Sequence, residues 1–252
     1  MNEGALTLVV HGESGTGKSW LGDTGPAPRL ILDAEGGSQF LPSVRRGEGQ
    51  LWDPARWAPP GEPDCDPEQP ALTPTTRVMV RDFGTMSRVY QWLNAGRHHF
   101  RSLVIDSLTE IQKRCLDAIV GTSMPQTQDW GVLLTQMEAL VRQLRDLTFH
   151  PTRPLTVVQI NCLTTTDKRG ILRPFVKGQL QETLPGFVDV VGYLYTEVGP
   201  TGALVRRLLV QAAPGYAAKD RTGRLGAVLS EPDVQDMLAR AHAPANDPEE
   251  GR

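Results

Sequence analysis

Short apolar runs alternate with amphipathic stretches along the chain, and the first of them is Leu6–His11. This run ends in a glycine-rich loop, and the residues from Lys18 onward continue as a helix, so the order strand, loop, helix is predicted. Four later apolar runs predict strands at residues 30–32, 78–80, 102–105 and 155–160. Helices are predicted between them at 86–93, from the fourth strand through residue 120, and at 130–147. Strands that alternate with helices predict a mostly parallel central sheet with helices on both faces, an α/β fold.

The remaining segments differ in composition from this alternating core. Residues 42–76 hold seven prolines between Pro54 and Pro74, a density that predicts a surface insertion without regular elements. The ranges 188–198 and 204–211 predict paired strands around a Gly-Pro-Thr-Gly turn, and a polar loop is expected at 161–178. We therefore expect one domain over residues 1–230, and over 231–252 a short helix followed by a flexible acidic tail.

The overall charge and the cysteine content exclude few classes of function, but one segment of the chain has an excess of basic residues. The 252 residues hold 26 basic and 29 acidic side chains, so no nucleic-acid partner is indicated by the whole chain. Residues 151–230, however, hold ten basic and five acidic side chains. Three widely spaced cysteines favour a reducing intracellular compartment over a disulfide framework or a zinc site. The first apolar run is too short to span a membrane, so a cytoplasmic protein without a membrane partner is expected.

The loop after the first strand matches GxxxxGK[ST] at every fixed position. Such a loop predicts binding of ATP and Mg²⁺, because its backbone N–H groups surround the phosphates. Lys18 would neutralise the β- and γ-phosphate oxygens, and Ser19 would hold Mg²⁺. The predicted nucleotide-binding residues are Gly12, Glu13, Ser14, Gly15, Thr16, Gly17, Lys18 and Ser19.

Two further strand ends supply carboxylates. Leu103-Val104-Ile105-Asp106 is an apolar strand that ends in an acid, the Walker B pattern, so Asp106 is predicted to hold the water shell of Mg²⁺ from the strand beside the P-loop. Asp33-Ala34-Glu35 follows the second strand, where a carboxylate can orient an attacking water. A helix cap or an exposed loop acid is the alternative for this second group.

Six segments follow one another along the chain: VVHGESGTGKS, LILDAEGG, SLVIDSLTE, TVVQIN, LPGFVDVVGYLYTE and AAKDRTGRL. In this order they resemble a phage P-loop nucleotide-binding family with a RecA-like core. Some members of that family act as single-strand annealing proteins in phage recombination. The segments also resemble, more distantly, the RecA recombinases. That likeness implies that Glu35 is the catalytic base and that Asp106 belongs to Walker B. A phage-encoded protein would act in the host cytoplasm.

The resemblance also implies a DNA channel and an oligomer. The loops at 121–130 and 161–178 would line a channel for single-stranded DNA, and the second loop contains Lys168, Arg169, Arg173, Phe175 and Lys177. Lys219 and Arg221 resemble a K-x-R element that reaches into a neighbour's nucleotide site, which implies catalysis in trans within a ring or filament. A single-strand-binding protein is a further possible partner.

Two questions stay open at this level. Either Gln159 or Asn161 could sense the γ-phosphate, because strand alternation places both on one face. The sequence also lacks a sizeable extra domain of the recombinase type, which favours an annealing-type ATPase over strand exchange. The alternatives are a nucleotide-gated loader with little hydrolysis and a P-loop small-molecule kinase, whose arginine lid would have to come from the 42–76 insertion.

Overall fold

The structure, a computed structural model, describes residues 4–244. The strands in this range are β1 (Leu6–His11), β2 (Arg29–Asp33), β3 (Gly49–Leu51), β4 (Thr75–Met79), β5 (Ser102–Asp106), β6 (Val157–Cys162), β7 (Thr164–Thr166), β8 (Leu172–Pro174), β9 (Val190–Val198), β10 (Leu204–Leu209), β11 (Lys219–Asp220) and β12 (Val228–Ser230). The α-helices are α1 (Lys18–Gly22), α2 (Pro42–Arg45), α3 (Phe83–Asn94), α4 (Leu108–Val120), α5 (Thr127–Asp146), α6 (Leu180–Phe187) and α7 (Val234–Ala241).

The central sheet has the strand order β12-β10-β9-β1-β6-β5-β2-β4-β3, and β11 pairs with β9. All pairs from β9 to β3 along this order are parallel, whereas β10, β11 and β12 join by antiparallel pairing. Parallel strands place their carboxyl ends at one edge of a sheet, which we call the carboxyl edge, so the loops after β1, β2, β5 and β6 lie at that edge.

Helices cover both faces of the sheet, and β1 shows how the sequence achieves this. Val9 packs in the cluster formed with α3, α4, α5 and α6, while Leu8 and Val10 point the other way and pack with α1 and α7. Helix α2 lies on the same side as α1. Because every residue of β1 is buried, its apolar run is continuous rather than alternating. The predicted α/β fold, with a mostly parallel sheet between two helical layers, is confirmed.

The position of the Walker B strand differs from our prediction. Asp106 was expected in the strand beside the P-loop strand, and this is wrong because β6 lies between β1 and β5. Ile160 of β6 pairs with Val9 on one side and with Ile105 on the other. The motif indicates that a strand ends in an acidic residue, but it contains no information on which strands are its neighbours in the sheet.

The proline-rich stretch at 42–76 is not free of regular elements, contrary to our prediction. It contains α2, which begins with a proline, and β3, which extends the sheet beyond β4. Trp52 is 5 % exposed and packs in the main core, and its indole Nε1 donates to the carbonyl of Trp57 at 2.9 Å. The prolines lie outside β3, so their missing N–H groups cost the sheet no hydrogen bond.

Residues 161–178 also contain more structure than predicted. β6 continues through Cys162, and β7 and β8 then form an antiparallel hairpin. The predicted β9–β10 pair is confirmed, as is the helix near 232–242. Most of the predicted frayed end at 243–252 lies outside the described residues.

Candidate nucleotide-binding site

The P-loop curls tightly over the end of β1. Gly15 and Gly17 have φ angles of 83° and 97°, in the left-handed region that side chains avoid. A methyl group at Gly12 would lie 2.2 Å from the carbonyl oxygen of Leu194 in β9, so this position must be glycine for packing reasons. Thr16 Oγ1 donates to the carbonyl of Glu13 at 2.9 Å and closes the turn.

Lys18 lies inside this loop with 8 % of its surface exposed. Its ammonium donates to the carbonyls of Gly12 at 2.9 Å and Glu13 at 2.8 Å. Burial lowers the pKa of Lys18, and the carboxylates of Asp106 and Glu35 oppose this shift. A buried cation held by two neutral carbonyls is suited to an anion with several oxygens, such as a phosphate chain.

Asp106 ends β5 at the carboxyl edge, where it is 5 % exposed. Its carboxylate accepts hydrogen bonds from the Ser19 side chain and from Asn161 Nδ2, the latter at 3.0 Å. Burial raises the pKa of Asp106 above its usual range despite these bonds, and the nearby carboxylates of Glu35 and Asp33 act in the same direction. A bound divalent cation would remove that penalty.

Ser19 and Asp106 can supply part of a Mg²⁺ coordination shell, and the other ligands would have to come from outside the protein. Ser19 and Asp106 bring one hydroxyl and one carboxylate together, the protein share that Mg²⁺ usually takes beside waters and substrate phosphates. Among residues 4–244, no group of three or more His, Cys, Asp and Glu side chains could hold a metal alone. The remaining ligands would therefore come from nucleotide oxygens and water.

The structure separates Gln159 from Asn161 by their contacts. Gln159 Nε2 donates to the backbone carbonyl of Lys18 at 3.2 Å and to Asn161 Oδ1 at 2.8 Å. Asn161 lies nearer the carboxyl edge and bonds to Asp106 directly. The geometry favours Asn161 as the polar side chain beside the phosphate end of the site, with Gln159 behind it.

Asp33 and Glu35 have different positions although only two residues separate them. Asp33 is buried and caps its own loop, accepting from the backbone N–H groups of Glu35 at 3.0 Å, Gly36 at 2.6 Å and Ser38 at 2.8 Å. Asp33 therefore stabilises the backbone of this loop from a buried position, a role that differs from the helix cap and the exposed acid given as alternatives. Glu35 is exposed and accepts a hydrogen bond from the hydroxyl of Ser107.

Side chains that no sequence motif marks complete the surroundings of Glu35. Ser107 follows Asp106 and bonds to Glu35, and Arg114 Nη2 donates to the carbonyl of Ala34 at 2.8 Å. Arg114 therefore ties α4 to the loop that presents the carboxylate. The Ser after the Walker B acid was visible in the sequence, but only its tertiary contact marks it as part of the site.

Lys219 and Arg221 lie away from this P-loop. Lys219 pairs opposite Val191, level with the middle of β1, and its ammonium donates to the carbonyls of Pro185 and Val188 at 2.5 and 2.7 Å. Arg221 lies further from the carboxyl edge, where its guanidinium donates to Asp189 at 3.1 Å. Within residues 4–244, neither side chain bonds to the P-loop of its own chain, so a role in catalysis would have to be in trans.

The predicted DNA-binding residues fall into two groups. Lys168 and Arg169 are exposed at the turn of the β7–β8 hairpin. Arg173 differs from the prediction of a free phosphate-binding cation, because it is buried and forms ion pairs with Asp167 at 2.7 Å and with Glu182. Its charge is balanced within the protein.

The last two predicted DNA residues lie where the two predicted channel loops meet. Lys177 Nζ lies 5.2 Å from the ring centroid of Trp130, at the start of α5. Phe175 is exposed, and its carbonyl accepts from Thr109 Oγ1 at 2.8 Å. The loops at 121–130 and 161–178 therefore contact each other.

No helix among residues 4–244 has the length and apolar character needed to cross a bilayer.

None of the curated proteins with which the sequence was compared matches it. One similar solved structure is an ATPase from the type III secretion system of pathogenic bacteria, which is 12% identical with a TM-score of 0.45 over 76% of this chain and 52% of that one. The chain thus spans about half the length of that ATPase. Another is the flagellar accessory protein FlaH from Methanocaldococcus jannaschii, which is 10% identical with a TM-score of 0.43 over 91% of this chain and 87% of that one.

The family comparison covers every site residue described above. A family model for the AAA domain matches residues 5–222, most of the chain, including the P-loop, Asp106, Glu35 and the 161–178 segment. The chain belongs to the AAA domain family, and this match indicates a P-loop NTPase.

Proposed function

We propose that the protein hydrolyses ATP with Mg²⁺ and acts on single-stranded DNA, in recombination, annealing or replication of the phage type. The observation that supports the ATPase part is the convergence of four groups at the carboxyl edge. Ser19 hydrogen-bonds to Asp106, and the carboxylates of Asp106 and Glu35 both lie near enough to act on Lys18 electrostatically.

The groups divide the work of binding and hydrolysis. The P-loop N–H groups and Lys18 bind the phosphate chain, and Ser19 and Asp106 would hold Mg²⁺, which would supply positive charge to the phosphate oxygens. Glu35 accepts a proton from the attacking water, and Ser107 positions that carboxylate. Asn161 holds Asp106 in place.

The DNA part rests on the sequence resemblance and on the surface where the two channel loops meet. Lys177 offers a phosphate contact, and Trp130 and Phe175 offer ring faces on which bases can stack. Thr109 and Gln112 of α4 bond to the backbone of Phe175 and Lys177. Because α4 begins directly after Asp106 and Ser107, nucleotide binding can alter this surface.

ATP hydrolysis measured with and without single-stranded DNA tests the proposal. We expect stimulation by DNA in the parent and its loss in Lys177→Ala and Trp130→Ala. Arg142→Ala is the matched control, since Arg142 also lies over an aromatic ring, Phe187, but outside both loops. Hydrolysis that ignores DNA would contradict the DNA part and favour a nucleotide-gated loader.

We also propose that Lys219 and Arg221 act on a neighbouring subunit's nucleotide in a ring or filament. The support is that both are cations held away from their own P-loop. Mixing Lys18→Ala protein with Arg221→Ala protein tests this, because a composite site would regain partial activity in mixed oligomers. No rescue at any mixing ratio would contradict it.

A further inference from the structure

One cation touches the P-loop from the side opposite Asp106 and Glu35. Arg206 of β10 lies with its guanidinium carbon 4.9 Å from the ring centroid of Trp20 in α1. A methyl group at Gly17 would lie 2.6 Å from Arg206 Nε, so this side chain rests on the P-loop backbone. Arg206 and Trp20 are both partly exposed, and Trp20 is 41% exposed.

Glu231, just after β12, fixes the backbone of Arg206. The backbone N–H of Arg206 donates to Glu231 Oε1 at 2.8 Å, and the N–H of Glu231 donates to the carbonyl of Arg206 at 2.8 Å. Glu231 has a φ of 44°, an uncommon conformation for a residue other than glycine. This two-point clamp holds Arg206 at the level of the P-loop, and the Glu231 carboxylate also lies 3.5 Å from its guanidinium.

The strand order gives a direction to a bound nucleotide. β5 and β2, which present Asp106 and Glu35, lie on one side of β1, whereas β9 and β10 lie on the other. The metal and hydrolysis groups mark the side of the γ-phosphate. The nucleoside end of the same molecule must leave toward the other side, where Trp20 follows directly after Ser19 and Arg206 covers Gly17.

We propose that Trp20 and Arg206 form the subsite for the nucleobase of the bound nucleotide, a site that rests on the proposed ATP binding. The exposed indole and the planar guanidinium each offer a flat face on which a purine can stack. This subsite would contribute affinity for the base and none for the phosphates.

Calorimetric titration with Mg²⁺-ATP and with Mg²⁺-inorganic triphosphate, which has no base, separates these contributions. Arg206→Ala and Trp20→Ala should each weaken ATP about tenfold and leave triphosphate affinity unchanged. Trp20→Phe, which keeps a ring, should retain most of the ATP affinity. Arg207→Ala is the matched control, because Arg207 is the next residue, lies on the opposite face of β10 and pairs with Glu197.

Unchanged triphosphate binding also shows that each variant is folded at the P-loop. If Arg206→Ala weakens ATP and triphosphate equally, Arg206 contacts phosphate and the nucleobase subsite is refuted. If both variants bind ATP as the parent does, it is refuted as well. A parent that binds neither ligand would instead overturn the nucleotide site itself, together with this subsite.

Discussion

The carboxyl edge of the sheet and the β7–β8 hairpin both collect charged side chains, but they leave them in opposite states. At the edge, within residues 4–244, Lys18 hydrogen-bonds only to backbone carbonyls and Asp106 only to neutral side chains, although the two charges act on each other electrostatically. In the hairpin, the buried cation Arg173 is matched by Asp167 and Glu182. The charged groups at the edge are therefore available to a ligand, whereas the guanidinium of Arg173 stabilises the hairpin through ion pairs within the protein.

The free-energy cost of burying a charge accounts for the difference between the two regions. A buried ionised group that forms no direct ion pair is expensive, and it is retained where a ligand or metal supplies further opposite charge. An internally paired cation contributes to the fold instead. Counting basic residues over 151–230 could not distinguish these two uses.

Glu35→Gln, at the carboxyl edge, should change the ATP hydrolysis rate more than any other substitution proposed below changes its own measured quantity. The amide keeps the size of the side chain but cannot take a proton, so the ATP hydrolysis rate should fall by about 10²- to 10⁴-fold. Binding of Mg²⁺-ATP should stay close to that of the parent. Turnover near the parent rate would show that the base lies elsewhere, with Glu13 as the next residue to replace.

His11 links the two regions, and its protonation should weaken both. Its Nε2 lies 3.0 Å from the carbonyl of Ala217, which can only accept, so Nδ1 accepts from Thr164 Oγ1 of β7 at 3.1 Å. Burial lowers the pKa of His11 from 6.5 to about 4. This contribution to stability is complete above pH 6.5 and is lost as the pH falls toward 4.

Urea unfolding at pH 7 and pH 5 measures that contribution. The parent should lose about 2 kcal/mol more between these pH values than His11→Asn, which cannot titrate. His98, whose pKa burial also lowers to about 4, is unchanged in both proteins and cancels in the comparison. An equal loss in the two proteins would assign the acid sensitivity to other groups.

Arg173→Ala tests whether the ion pairs of Arg173 stabilise the β7–β8 hairpin. Removal of this guanidinium leaves Asp167 and Glu182 without their cation, so the free energy of unfolding should fall by more than the roughly 0.5 kcal/mol typical of surface changes. Denaturant unfolding measures it, with exposed Arg169→Ala as the control. A stability change no larger than the control's would mean that the pairing does not hold the hairpin.

Replacement of Lys168 and Arg169 together should have the smallest effect. Both side chains are exposed, so stability should stay within about 0.5 kcal/mol of the parent. If they bind phosphates, the slope that relates single-stranded DNA affinity to salt concentration should flatten by about 0.7 for each phosphate that is no longer neutralised. An unchanged slope would remove the hairpin turn from the DNA surface.

Much of this architecture was predictable because its signals are local. The P-loop requires fixed residues at fixed spacing between a strand and a helix, and continuous apolar runs mark strands that are buried on both faces. Other features depend on which segments meet. The insertion of β6 between β1 and β5 and the contact of Arg206 with Trp20 both join residues far apart in sequence. Periodicity and spacing contain no information on such pairs.

Direct titration of Lys18→Ala and Lys18→Met with Mg²⁺-ATP tests whether the P-loop binds the nucleotide through its buried ammonium. Both substitutions remove the buried ammonium, and methionine also keeps most of its volume, so a folding defect can be told from a binding defect by thermal unfolding. Lys113→Ala, which removes an exposed lysine paired with Glu110, is the control. We predict that both Lys18 variants stay folded and lose ATP binding, while the control binds as the parent does. ATP affinity equal to that of the parent in a folded Lys18 variant would contradict the account.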